Sequence, residues 1–333
     1  MVASYSQVTT ELLWPGLPAG PSGDSANFRP SLISYPVSGS KANGAAVLIC
    51  PGGGYYGLAE THEGTEVAKR FNSFGVSAFI VKYRRAPGYM YPIPFDDERR
   101  AMRVIRSRAA KFGIDTARIG VLGFSAGGHL ASTLAVHYDT GDKTAKDSID
   151  RLSCRPAFAV LVYPVISMQD SITHSGSKKS LLGTPPDANL VQYLSNERQV
   201  TTATPPTFLV HTKDDAAVKI ANSQVFYNAC VKVMVKAKFI QYQSGPHGFG
   251  MADGIGGAPN LPALAGWPDS CSKWLDANGF YKPSTSGISN NQARRIVEPK
   301  GNSNTAPYFE LLNSQKASPR DAAGRVVELG INR

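Results

Sequence analysis

An α/β protein with a mostly parallel central sheet, covered by helices on both faces, is the fold this sequence predicts. Three observations predict it. Short, continuous apolar runs alternate with helix-spaced segments along the chain. Most of those runs lack polar alternation, as strands buried on both faces do. A chain of 333 residues is also long enough to bury a large core in one domain.

In order, residues 1–30 are rich in Pro, Gly and Ser, with Trp14-Pro-Gly-Leu-Pro as an anchoring segment of an amino-terminal arm. Residues 31–37 read as a first strand. Ala45-Ala-Val-Leu-Ile-Cys50 is a buried strand running into Pro51-Gly-Gly-Gly-Tyr55. Residues 63–74 have helical spacing, with Val67, Ala68, Phe71 and Phe74 on one face. A strand over 76–83 is followed by a helix over 94–112. Asp96, Asp97 and Glu98 fall in the first turn of that helix, where its dipole favours acids.

The strand Ile119–Phe124 leads into a helix over 126–138, and 157–165 is the next buried strand. Residues 167–206 keep no clean period and hold several Gly, Pro and Ser, as a cap or lid insertion would. The core pattern resumes with a strand at 207–211, a helix at 217–231, a strand at 236–243 and a closing helix at 267–280. From 282 the composition turns to Ser, Asn, Gln, Arg and Pro, which predicts a largely disordered tail to 333. The expected domain thus spans 31–281.

The bulk numbers remove several classes. Apolar content of 42% and charge of 18% belong to an ordinary globular chain. No run of 18 apolar residues suggests a membrane span. The amino terminus has neither a basic nor an apolar leader segment, so the expected location is cytoplasmic, or secreted with the leader removed. Four scattered cysteines, Cys50, Cys154, Cys230 and Cys271, read as buried thiols, with no disulfide framework and no zinc site. The net charge of +10 is dispersed, without a basic block or aromatic stripe, so no nucleic-acid partner is expected.

Chemistry concentrates at Gly123-Phe-Ser-Ala-Gly127, which fits G-x-S-x-G between a strand and a helix. A Ser at the apex of such a turn sits in strained backbone, aimed at the free N–H groups of a helix start. The spacing is not that of a phosphate-binding loop. A serine hydroxyl needs a base, and the base needs an acid to fix its tautomer. His247, in Ser244-Gly-Pro-His-Gly-Phe-Gly250 just past a strand, is placed for the first role. His62, His129, His137, His174 and His211 are the other candidates; His137 and His211 suit structural roles better, and His129 a place beneath the serine turn. The acid comes from His211-Thr-Lys-Asp-Asp215, and spacing alone leaves Asp214 and Asp215 open. No further ligand follows at a metal's spacing. The N–H groups of Pro51-Gly-Gly-Gly-Tyr55 suit an oxyanion hole.

Together these segments, with Tyr83-Arg84 and Pro246-His-Gly-Phe249, resemble the α/β-hydrolase superfamily. The nearest likeness is to its esterase/lipase branch of acetylxylan esterases and feruloyl-esterase-like (BD-FAE-like) proteins. The resemblance covers roughly residues 30–280. It implies an α/β-hydrolase fold and a serine carboxylesterase acting on short-acyl, chiefly acetyl, esters of a carbohydrate such as xylan. It implies no metal or organic cofactor. Carried over by position, it makes Ser125 the nucleophile and His247 the base. It puts the oxyanion hole at the N–H groups of Gly53, Gly54 and Ala126. The family register, an Asp at the fifth place from His211 with Val218 three beyond, selects Asp215 as the acid. Asp214 is then expected to face solvent or cap the next helix. Pro51 stands where one branch of the superfamily has a His that steadies the glycine loop. Tyr55 and Tyr56 are expected to touch substrate, and with Phe124 and Phe249 to keep the acyl pocket small. Two rivals share the fold: a peptidase of the prolyl-oligopeptidase type, for which the chain has no room for a propeller, and a catalytically silent binding protein.

Overall fold

The computed structural model describes residues 7–14, 16 and 29–281. The disordered tail expected after 281, and most of the arm, lie outside the described residues. Eight strands form one sheet in the order β1-β2-β4-β3-β5-β6-β7-β8. They are β1 (Thr9–Leu12), β2 (Ser31–Tyr35), β3 (Ala46–Cys50), β4 (Ser77–Lys82), β5 (Ile119–Phe124), β6 (Ala159–Val162), β7 (Thr207–Thr212) and β8 (Ala237–Tyr242). The pairings from β4 to β8 are parallel. β1 and β2 run antiparallel at one edge. The part of the arm that is described therefore adds a strand to the sheet.

Side chains alternate across the sheet, as a pleat requires. Leu48, Val121, Leu161 and Leu209 face one core, which α2 (Ile93–Ser107), α3 (Ser125–His137) and α6 (Ala221–Lys232) cover with Val104, Leu130, Leu134 and Phe226. Val47, Leu122, Val160 and Val210 face the other. There α1 (Glu66–Ser73) and α7 (Trp267–Ala277) contribute Val67, Phe71, Trp267 and Leu275. Apolar burial on both faces is why these strands read as unbroken hydrophobic runs.

Two local expectations change. A π-helical turn, Thr61–Thr65, precedes α1, so the regular helix starts later than its spacing suggests. Of the three acids placed in the first turn of α2, Asp97 and Glu98 are buried. Asp97 takes the Nε and Nη2 of Arg84 at 2.9 and 2.8 Å, together with its backbone N–H. That buried pair locks the end of β4 to α2.

Residues 167–206 hold two short helices, α4 (Ser175–Leu182) and α5 (Ala188–Tyr193), and a 3-10 turn at Asn196–Arg198. Asn196 Nδ2 donates to the Ser132 and Thr133 hydroxyls on α3, pinning the carboxyl end of the segment. The chain goes from β3 to β4 on one side and then to β5 on the other. The strand order reverses there, which leaves a crevice beyond the carboxyl ends of β3 and β5.

Candidate active site

Both loops at that crevice are the ones singled out by their glycines. Ser125 follows β5 and starts α3 with φ 52°, a strained left-handed turn for a residue with a side chain. Its neighbours must be glycine. A Cβ on Gly123 would lie 2.1 Å from the Gly127 oxygen, and one on Gly127 would lie 2.1 Å from the Cys50 oxygen. The loop after β3 presses against the serine: a Cβ on Gly52 would come within 2.9 Å of Ser125 Cβ.

Ser125 Oγ is 2.8 Å from His247 Nε2, and His247 Nδ1 is 2.7 Å from Asp215 Oδ2. The chain of bonds assigns the proton to Nδ1, leaving Nε2 to accept from the serine hydroxyl. Asp215 is buried and its other oxygen accepts the N–H groups of Ala217 and Val218 at 3.0 and 2.8 Å. Burial pushes this carboxyl up. Hydrogen bonds from His211 and His247 outweigh that and hold it well below the usual carboxylate range. His211 Nε2 lies 3.3 Å from Asp215 Oδ2 and 2.9 Å from the Val218 oxygen. The residue read as merely structural thus steadies the acid.

Asp214 faces solvent, the first of the two alternatives raised for it. It accepts from Ser244 Oγ at 2.5 Å and the Gly245 N–H at 2.8 Å, bracing the loop that carries His247. Capping of the following turn falls to Asp215. Those same bonds hold the Asp214 carboxyl below its ordinary range.

The turn over 51–57 is closed by the N–H groups of Tyr56 and Gly57 donating to the Gly53 oxygen. Among the described residues, the N–H groups of Gly53 and Gly54 have no hydrogen-bond acceptor. Ala126 is the second residue of α3, where a backbone N–H has no carbonyl four residues back. Such donors are available to an anion formed at the serine. The Gly52 N–H is already committed, donating to Glu63 Oε2 at 2.7 Å, and Tyr83 Oη donates to the Pro51 oxygen at 2.8 Å. Glu63 and Tyr83 therefore steady a loop in which Pro51 replaces a histidine.

Three of the residues expected to shape the substrate pocket do not reach it. Tyr55 is 1% exposed, and its hydroxyl is bonded to His129 Nδ1 at 2.8 Å. Phe124 and Phe249 are fully buried, packed on Tyr163. Tyr55 is turned into the core on one face of the sheet, and Phe124 and Phe249 into the core on the other. Tyr56 is 66% exposed. It lines a groove of about 470 Å³ with Ala86, Pro87, Met90, Lys179 and Thr184. His129, on α3 one turn past Ser125, is buried, with its Nε2 2.8 Å from the Leu194 oxygen. Burial lowers its pKa to about 4, so near neutral pH it is an uncharged strut between Tyr55 and the 167–206 segment.

A model of the BD-FAE family matches residues 33–230. The chain belongs to the BD-FAE family. The matching domain has the α/β-hydrolase fold of carboxylic ester hydrolases. The crystal structure of an acetyl ester-xyloside bifunctional hydrolase from Caldicellulosiruptor lactoaceticus is 43% identical to this BD-FAE chain. It aligns over 82% of this chain and 97% of its own length, with a TM-score of 0.76. Endo-1,4-beta-xylanase B of Butyrivibrio fibrisolvens is 34% identical over 69% of this chain and 36% of its own. The acetylxylan esterase of Xylanibacter ruminicola is 32% identical over 62% and 42%. The BD-FAE chain thus spans less than half the length of these two curated relatives.

Two residues at the site escaped sequence reasoning. Tyr163, at φ 36° just past β6, sets its ring edge-on to His247 with centroids 4.9 Å apart. Its position at the carboxyl end of a buried strand, before Pro164, is the signal that could have found it. Glu63 looks in sequence like any acid near a helix start.

Proposed function

We propose that the protein is a serine carboxylesterase that removes a short acyl group, acetyl above all, from a carbohydrate such as acetylated xylan. The observation that carries this reading is the bonded chain Ser125–His247–Asp215, facing a glycine turn with spare N–H donors. In the first step His247 Nε2 takes the Ser125 proton as Oγ attacks the ester carbonyl. Negative charge on the former carbonyl oxygen is met by the N–H groups of Gly53, Gly54 and Ala126. Asp215 holds the imidazolium. His247 then passes its proton to the departing sugar oxygen, leaving an acyl-serine. Water, deprotonated by the same imidazole, releases the carboxylic acid and restores Ser125.

The acetyl and xylan parts of the reading draw support from the relatives, whose names carry acetyl esters and xylan. Tyr55, Phe124 and Phe249 lend them no support, since of the four bulky residues near the site only Tyr56 is exposed. The groove beside Tyr56 is open and mostly apolar, and α4 supplies Gly176, Lys179 and Ser180 to its wall. An exposed aromatic face there suits a pyranose ring of the alcohol part. The 167–206 segment would then act as one wall of the substrate site.

A substrate panel tests the assignment: 4-nitrophenyl acetate, butyrate and octanoate, a feruloyl ester, and acetylated xylan. Acetyl is expected to exceed octanoyl in kcat/KM by at least ~10-fold, in line with the acetyl esters named for the relatives. Acetate release from xylan is expected without new reducing ends. A preference for octanoyl would make this a lipase, and one for ferulate a feruloyl esterase.

A further inference from the structure

Glu63 is 3% exposed, and nothing in the reaction just described uses it. It sits in the π-helical turn before α1, an irregularity often found at functional sites. Its Oε2 accepts the Gly52 N–H at 2.7 Å, one residue before the two glycines of the oxyanion turn. Its Oε1 accepts the Tyr163 hydroxyl at 2.8 Å. That hydroxyl in turn accepts the Gly250 N–H at 2.8 Å, three residues beyond His247. The Tyr163 ring is the one packed against the His247 imidazole. One carboxylate and one phenol therefore connect the turn that would hold the oxyanion to the loop that holds the base.

Burying a carboxylate carries a desolvation cost that an apolar side chain of the same size would avoid. The cost shows in Glu63 itself, whose pKa burial raises even against the bonds from Tyr163 and Gly52. Packing alone does not call for an acid here. Two loops that must keep a fixed spacing do, because each glycine turn is soft and only a group with two acceptor oxygens can bind both.

We propose that Glu63 and Tyr163 are a pair of positioning residues that set the distance between the oxyanion turn and His247. The proposal rests on the esterase reading. Neither side chain is hydrogen-bonded to Ser125, His247 or Asp215, and the pair acts by keeping the N–H donors and the imidazole aligned on one ester group. A displacement of about 1 Å at such a site can cost on the order of 100-fold in rate.

The test uses the full chain with 4-nitrophenyl acetate, each preparation being titrated for reactive serine with a 4-nitrophenyl phosphonate. Glu63→Ala is expected to lower kcat per titrated site by about 100-fold, and Tyr163→Phe by about 10-fold, with KM within about 3-fold of the parent. Glu63→Gln, which keeps one acceptor, should lie between Glu63→Ala and the parent. The double variant Glu63→Ala/Tyr163→Phe should be within about 3-fold of Glu63→Ala alone, because both changes break one connection. A purely structural role would lower melting temperature and the titrated fraction but leave kcat per site unchanged. Unchanged kcat per site in Tyr163→Phe and Glu63→Gln would overturn the proposal even if Glu63→Ala failed to fold. So would losses that multiply in the double variant. Phosphonate labelling that is equal in the parent and Ser125→Ala would instead overturn the Ser125 assignment, and this proposal with it.

Discussion

Replacing Ser125 by alanine is expected to lower turnover of 4-nitrophenyl acetate by several orders of magnitude, up to ~10⁶, with the fold intact. The size follows from the order of events. Without Oγ the imidazole of His247 has no hydroxyl 2.8 Å away to activate, and the two-step route through an acyl-serine is lost. What remains is whatever the N–H donors do for direct attack by water, about 10³–10⁴ over the uncatalysed reaction in comparable enzymes. Alanine adopts the φ of 52° no less readily than serine and removes one oxygen from a buried turn. Thermal unfolding should accordingly change little. Steady-state kinetics on protein checked for contaminating esterase decides the matter, and more than a tenth of parent activity would exclude Ser125 as nucleophile.

The second large effect separates the two adjacent acids. Asp215→Asn is expected to lower kcat by roughly 10⁴, since an amide NH₂ facing His247 Nδ1 enforces the wrong tautomer while keeping the side-chain shape. The structure adds a reason for its severity. Asp215 also receives His211 and the N–H groups of Ala217 and Val218, so one carboxylate is the hub of four donors. Asp214→Asn should cost less than ~10-fold. Its bonds to Ser244 and Gly245 brace the His247 loop from the solvent side, and an amide oxygen can keep one of them. Melting curves and kcat for both variants test this, and a reversed pattern would make Asp214 the acid.

Strands buried on both faces announce themselves as apolar runs, so the course of β3 to β7 was legible; the half-exposed β8 showed instead by its alternation, and the serine turn by its obligate glycines. β1 was not. Four residues, Thr9–Leu12, are too short and too polar for a period, and they are held by pairing with β2. The register from His211 picked out the acid that the structure places beside His247. The same reasoning misjudged Tyr55, Phe124 and Phe249, because nearness in sequence to a reactive residue does not say which way a side chain turns. Glu63 and Tyr163 were invisible for a related reason. Their meaning lies in contacts across 100 residues of chain, and neither belongs to a local motif. Asp214 shows the limit from the other side: a carboxylate next to a helix start looks like a cap until the loop 30 residues on is seen to occupy it.

The central claim is a covalent acyl-serine at position 125. Trapping it is the most direct measurement: the protein is incubated with a 4-nitrophenyl phosphonate, and its intact mass and peptides are then determined. The expected result is one adduct per chain, on Ser125, absent from Ser125→Ala and slowed in Asp215→Asn. An adduct on another residue, or full hydrolytic activity in protein labelled at Ser125, would contradict the account.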